Sequence, residues 1–142
     1  MSTISIFIDT SVLFSAVQSK VGASARIMGL CKKGLIKGFI SDYVIAEAKR
    51  NAQKLDQKQK QRLHIFLQQG RLDKAETPTA EEIKQYEGVI KLKDAPVVAA
   101  AMKNKVDFLI TLDTTDFKKQ SVREEVKPLQ ILTPREFVTT HA

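Results

Sequence analysis

The chain has 142 residues, 43% hydrophobic and 27% charged, with 23 Lys and Arg against 16 Asp and Glu. That length supports a single domain with one core, and a chain of this size buries roughly two thirds of its unfolded surface without a disulfide or metal clip. The composition excludes intrinsic disorder, and the uncharged run at 95–102 is far short of the roughly 20 residues that span a bilayer. The opening MSTISIFID has no basic segment and no small-residue cleavage site, so no secretory signal is expected. One cysteine, Cys31, allows no internal disulfide and points to a reducing cytoplasm. Among Ile27, Met28 and Leu30 it reads as a small buried hydrophobe. The net charge of +7 favours polyanionic partners such as nucleic acid.

Taken in chain order, residues 4–8 form a β-branched apolar run and read as a buried strand. A short helix is expected at 12–17 and another at 24–33, stopped by Gly34. Residues 36–40 read as a second strand. Ser41 or Asp42 caps a third helix running to about residue 55, and a fourth spans 57–69 with Leu63, Phe66 and Leu67 on one stripe. A weak strand follows at 71–76, then a turn and cap at 77–79 and a short helix at 80–86. The Ala- and Val-rich segment 94–105 is a strong helix, 107–111 a strand, 116–120 a short helical or turn segment, and 129–132 a last strand. Thr133-Pro134 opens a final turn of helix. Strands alternating with helices specify an α/β domain with a parallel sheet covered on both faces.

Ligands in such sheets bind at the carboxyl ends of the strands, where strand order reverses. Asp9 follows the first strand and Asp113 the strand at 107–111, so neighbouring placement of these strands would bring both acids into one crevice. Asp94 opens the Ala/Val helix. Glu47 lies about 100° around the third helix from the centre of its apolar stripe, at the margin of the buried face. Each acid alone has a structural role open to it: Asp9 in a turn, Asp94 as an N-cap, Glu47 on a solvated face, Asp113 capping a loop. Asp116 reads better as a cap than as a ligand. Together the acids repel unless a cation joins them, and hard oxygen donors select Mg²⁺ or Mn²⁺. Such an ion polarises phosphoryl oxygens and activates water, and a basic surface around it suits polyanion hydrolysis.

Other chemistries lack their parts. No GxGxxG or P-loop is present, the two histidines are too far apart for an HExxH-type site, and no nucleophile elbow occurs. His64 reads as a helix residue with a packed ring, and His141 lies in the tail.

Four motifs in order then resemble a known family: Phe7-Ile8-Asp9-Thr10-Ser11-Val12-Leu13, Ile45-Ala46-Glu47, residues 94–101 beginning Asp94-Ala95-Pro96, and residues 107–113 ending Thr111-Leu112-Asp113. Over nearly its whole length, 1–142, the chain resembles a single PIN domain, the compact ribonuclease fold of VapC-type prokaryotic toxins. The resemblance implies a three-layer α/β/α domain with a central parallel sheet of five strands. It implies that Asp9, Glu47, Asp94 and Asp113 bind Mg²⁺ or Mn²⁺ and activate water against RNA, with Asp116 as a looser fifth acid. Thr10, Ser11 and Thr111 match small hydroxyl positions that support the acids. A homodimer and a small antitoxin partner are further expectations from the family. Lys49, Arg50, Lys118 and Lys119 are candidate RNA contacts from their places beside the acids. Two readings compete: a PIN fold that grips RNA without cutting it, and a haloacid-dehalogenase-like phosphatase. The latter has a second Asp two residues after the nucleophile, where this chain has Ser11.

Overall fold

The computed structural model describes residues 3–142; Met1 and Ser2, which open the N-terminal segment read above, lie outside it. The elements run β1 (Ser5–Ile8), α1 (Thr10–Gln18), α2 (Ala23–Lys32), β2 (Lys37–Ile40), α3 (Asp42–Arg50), α4 (Gln57–Gln69), β3 (Asp73–Lys74), α5 (Ala80–Glu87), α6 (Ala95–Lys103), β4 (Phe108–Ile110), α7 (Gln120–Glu125), β5 (Gln130–Leu132) and α8 (Pro134–His141). The strands form one five-stranded sheet in the order β3-β2-β1-β4-β5. Every pairing is parallel. The chain steps outward from β1 through β2 to β3, then crosses back over β1 to β4 and on to β5. Right-handed crossovers therefore put the helices before β3 on one face and those between β3 and β5 on the other. This is the expected three-layer α/β/α architecture.

Both faces being covered, the inner strands are apolar without alternation. Ile6, Phe7 and Ile8 of β1 are fully buried, as are Leu109 and Ile110 of β4. Helix α6 is buried almost all round through Ala95, Val97, Val98, Ala99, Ala100 and Ala101, and packs against α5 and α3. Cys31 is buried among apolar neighbours, and desolvation pushes its thiol up to about 12, so it packs rather than reacts. Gly34 stops α2 as expected. At φ 75° it sits in the left-handed region, with its N–H donating to the Cys31 carbonyl and that of Leu35 to the Leu30 carbonyl.

Several boundaries differ from the sequence reading. The third helix ends at Arg50 rather than near 55 and is followed by a 3-10 turn at Ala52–Lys54. Asn51 is the C-cap: its backbone N–H and its side-chain Nδ2 both donate to the Glu47 carbonyl, each at 3.1 Å. Ser41, not Asp42, is the cap, its Oγ accepting from the Val44 N–H. The segment at 116–120 takes the turn form of the two expected, and α7 begins at its last residue, Gln120. The C-terminal helix is longer than one turn, Pro134–His141, and starts from a reciprocal Thr133/Glu136 capping box. His64 is exposed rather than packed, while His141 stacks on Phe137 and lies against Phe108.

The central sheet tolerates no side chain at Gly38 in β2. A Cβ there would lie 2.6 Å from Cys31 Sγ, 3.0 Å from Leu72 Cδ2 and 3.3 Å from Ile8 Cδ1. Gly38→Ala is expected to destabilise the protein by about 1–3 kcal/mol through overpacking, read as a lower urea midpoint with an unchanged slope.

Candidate metal centre

The switch point of the sheet falls between β1 and β4, which pair in parallel with Ile8 opposite Ile110. The ladder extends one step further, the Asp9 N–H donating to the Ile110 carbonyl at 3.2 Å. Asp9 and Thr111 thus leave neighbouring strands at the same edge. Thr111 Oγ1 donates to Asp9 Oδ2 at 2.7 Å, and Ser11 Oγ donates to the same oxygen at 3.0 Å. Ser11 also accepts from the Leu112 N–H, and Thr111 from the Asp113 N–H. Thr10, the first residue of α1, points to α3 instead and donates to Glu47 Oε1 at 2.5 Å. The three hydroxyl residues therefore tie the acids together across three elements.

Asp94, Asp113 and Asp116 form the tightest group: one carboxylate oxygen from each lies within 4.8 Å of the others. Asp94 occupies the N-cap position of α6, yet its side chain makes no capping bond. Its Oδ2 is buried and has no hydrogen-bond partner. The capping role open to it from sequence is thus not the one it plays. Asp113 Oδ1 accepts from the Asp116 N–H, closing the loop that carries both acids. Asp116 is 5% exposed and is no helix cap; its Oδ2 pairs with Lys91 Nζ at 2.7 Å and its Oδ1 with Lys119 Nζ at 3.4 Å.

The electrostatics follow from these partners. Burial raises the Asp9 carboxyl, opposed by the Thr111 and Ser11 hydrogen bonds and reinforced by Glu47. Burial also raises Asp94, to about 6, with Lys93 opposing and Asp9, Asp113 and Asp116 adding to the rise. Asp116 moves the other way, held low first by its hydrogen bond to Lys91. One buried and two half-buried carboxylates close together, one with an unpartnered oxygen, form a hard-oxygen donor set that fits a divalent cation.

Of the candidate basic residues, Lys49 and Arg50 are exposed on α3 just beyond Glu47. Lys119 is held by Asp116, and Lys118 is committed to Glu136 at 2.7 Å. Two neighbours escaped the sequence reading. Lys91 sits in a loop whose only signal is a run of charges. Tyr43 donates its hydroxyl to the Lys93 carbonyl, and its phenol is raised first by burial and then by Glu47, Asp94 and Asp9. Tyr43 lies one turn before Glu47 on α3, and that spacing was the available signal. A cavity of about 840 Å³ lies at the opposite ends of the strands beside Ile4, Phe108 and Gln130, with Asp107 rather than the converging acids in its lining.

The fold and its acids define a class of parallel α/β domains in which carboxylates converge at the switch point of the sheet. Within it the chain belongs to the PIN domain family, whose model matches residues 5–115. That match takes in Asp9, Glu47, Asp94 and Asp113 and stops just short of Asp116, which the tertiary structure adds to the group. No curated protein matches the sequence. Among solved structures, the fold is similar to VapBC2 from Rickettsia felis, crystallised with a promoter DNA fragment (TM-score 0.66, 19% identity, covering 92% of this chain and 98% of that one). It is also similar to DNA-bound VapBC from Salmonella typhimurium (TM-score 0.66, 14% identity, 93% and 99%). A third likeness is to Mycobacterium tuberculosis VapC20, a sarcin–ricin loop cleaving toxin (TM-score 0.54, 17% identity, 78% and 91%).

The raised Asp94 carboxyl fixes the direction of a pH effect in metal-free protein. A carboxyl that holds its proton more tightly when folded contributes stability below its unfolded value near 3.8 and loses it as pH rises through about 6. Asp9 acts in the same direction, whereas the lowered groups Glu82, Asp116 and Glu136 act only further into acid. In chelator, the protein is expected to melt higher at pH 5 than at pH 7. Asp94→Asn should shrink that difference and raise the pH 7 melting temperature, both followed by circular dichroism.

Proposed function

We propose that this PIN domain is a Mg²⁺- or Mn²⁺-dependent endoribonuclease and the toxin of a prokaryotic toxin–antitoxin pair, acting in the cytoplasm. The observation that carries the metal reading is the buried, unpartnered Asp94 Oδ2 among three converging carboxylates. A buried acceptor without a donor is costly, and a divalent cation is the partner that carboxylate oxygens would take there. Asp94, Asp113 and Asp116 would hold the ion, with Asp9 and Glu47 completing the acidic wall. When bound, such an ion supplies Lewis acidity at phosphoryl oxygens and lowers the pKa of water.

The chain's own side chains do the rest. Thr111 and Ser11 hold Asp9 in one orientation and favour its charged form. Thr10 does the same for the position of Glu47. Lys49 and Arg50, exposed beyond Glu47, offer charge-assisted contacts to an RNA backbone lying across the acids. The likeness to VapC chains held in VapBC complexes supports an antitoxin partner. A cleft of about 220 Å³ between α1, α2 and α4, with Ile65 and Phe66 in its wall and Lys20, Lys32 and Arg62 around it, is the proposed contact face for that partner or for a second copy.

The decisive experiment incubates purified protein with a panel of RNAs, with Mn²⁺ or EDTA, beside Asp9→Asn. Cleavage is expected with Mn²⁺ alone and is expected to fall at least about 100-fold in the folded variant, the scale of losing a preorganised charged group. Wild-type cleavage by Asp9→Asn overturns the assignment, RNA binding without cleavage favours the binding module, and preference for small phosphomonoesters favours the phosphatase. A second expectation concerns affinity. Replacing Lys49 and Arg50 by Gln should flatten the log–log salt dependence of single-stranded RNA binding by roughly 0.7 for each phosphate that the two residues neutralise. An unchanged slope means that these residues do not touch the backbone.

A further inference from the structure

Lys91 stands in an unusual position for a residue with no assigned part in the chemistry. Its backbone is fixed to the start of α6, because its carbonyl accepts from the Asp94 N–H at 2.9 Å and the Ala95 N–H at 3.1 Å. Its side chain then crosses to the loop after β4 and pairs with Asp116 Oδ2 at 2.7 Å. One residue thus links the element that carries Asp94 to the loop that carries Asp113 and Asp116. Asp116, Asp113 and Asp94 all act on the Lys91 ammonium through their charges. The lysine side chain is 58% exposed, so it can leave the cluster without disturbing the core.

We propose that Lys91 is a resident cation of the acidic centre, one that competes with the divalent ion for Asp116 and so sets the metal concentration at which the site fills. This rests on the metal reading given above. The physical argument is one of charge. Three carboxylates within 4.8 Å of one another repel, and an ammonium 2.7 Å from one of them offsets part of that repulsion while the ion is absent. A divalent cation takes the same oxygens and repels the ammonium, so the two are alternative occupants with negative coupling between them. Lys119 adds a weaker second contact to the other Asp116 oxygen at 3.4 Å. It lies three residues from Asp116 on the same loop, whereas Lys91 joins that loop to the start of α6. Lys91 is therefore a positioning residue in the empty centre and a competitor as the centre fills.

The sign of the effect separates this role from a purely structural one. A lysine that merely braced the loops would weaken metal binding when removed, whereas a competitor strengthens it. The test is Mn²⁺ binding by titration calorimetry to the intact wild-type chain and to Lys91→Met, Lys91→Arg and Asp94→Asn, with thermal melting of each in chelator and in Mn²⁺. Lys91→Met is expected to bind Mn²⁺ at least about fivefold more tightly, the low end of coupling between linked sites. It should also melt lower in chelator and gain more from Mn²⁺ than the wild type, as mass action requires. Lys91→Arg, which keeps the charge, should stay near wild type. Unchanged or weaker Mn²⁺ binding by Lys91→Met overturns the proposal while leaving the metal centre intact. Wild-type Mn²⁺ binding by Asp94→Asn instead overturns the metal centre itself.

Discussion

Two parallel strands held side by side organise everything that matters in this molecule. Because β1 and β4 run in the same direction with Ile8 opposite Ile110, the residues that follow them emerge at one edge of the sheet. Asp9 is fixed there by its backbone bond to Ile110 and by the Thr111 hydroxyl, and α1 starts from that point. Thr10 then reaches Glu47 on α3, and the loop after Thr111 delivers Asp113 and Asp116. A one-residue slip in this pairing would move each β1 side chain to the opposite covered face and separate Asp9 from Thr111.

The chain concentrates acids at one point of a protein whose net charge is +7. It stabilises them in different ways. Asp9 is supported by neutral hydroxyls, which orient it without adding charge. Asp116 is supported by two lysines, which hold its carboxyl low. Asp94 receives no direct hydrogen bond at Oδ2, and its carboxyl is the one pushed up to about 6.

The local patterns of the sequence carried most of the framework. The apolar run of β1, the Ala/Val helix α6 and the Gly34 stop are each determined by residues within a few positions of one another. Helical geometry also put Glu47 at the margin of its buried face, and it is half-buried there with Thr10 against it. The weak third strand is only two residues long, Asp73–Lys74, exposed at the sheet edge, which is why its composition carries so little signal. The third helix is shorter than its periodicity implies: it caps at Asn51, and the apolar stripe continues through a 3-10 turn that shares the period of the helix closely enough to hide the boundary.

What the amino-acid sequence determined by itself was therefore the alternation of strands and helices, and the acids and hydroxyls beside the strands that could meet. Those features depend on near neighbours and on side-chain period. Tertiary structure alone decided which of them do meet. Asp9 and Thr111 are 102 positions apart and become partners only when β4 crosses back beside β1. Asp94, an ordinary helix cap by position, makes no cap and leaves an oxygen bare; Asp116 joins the centre instead of starting a helix; and Lys91 enters it from a loop marked only by its charges. The physical reason is common to all of these. A carboxylate's role is set by which charges and donors stand within a few ångströms of it, and in a parallel α/β sheet those come from segments far apart in the chain.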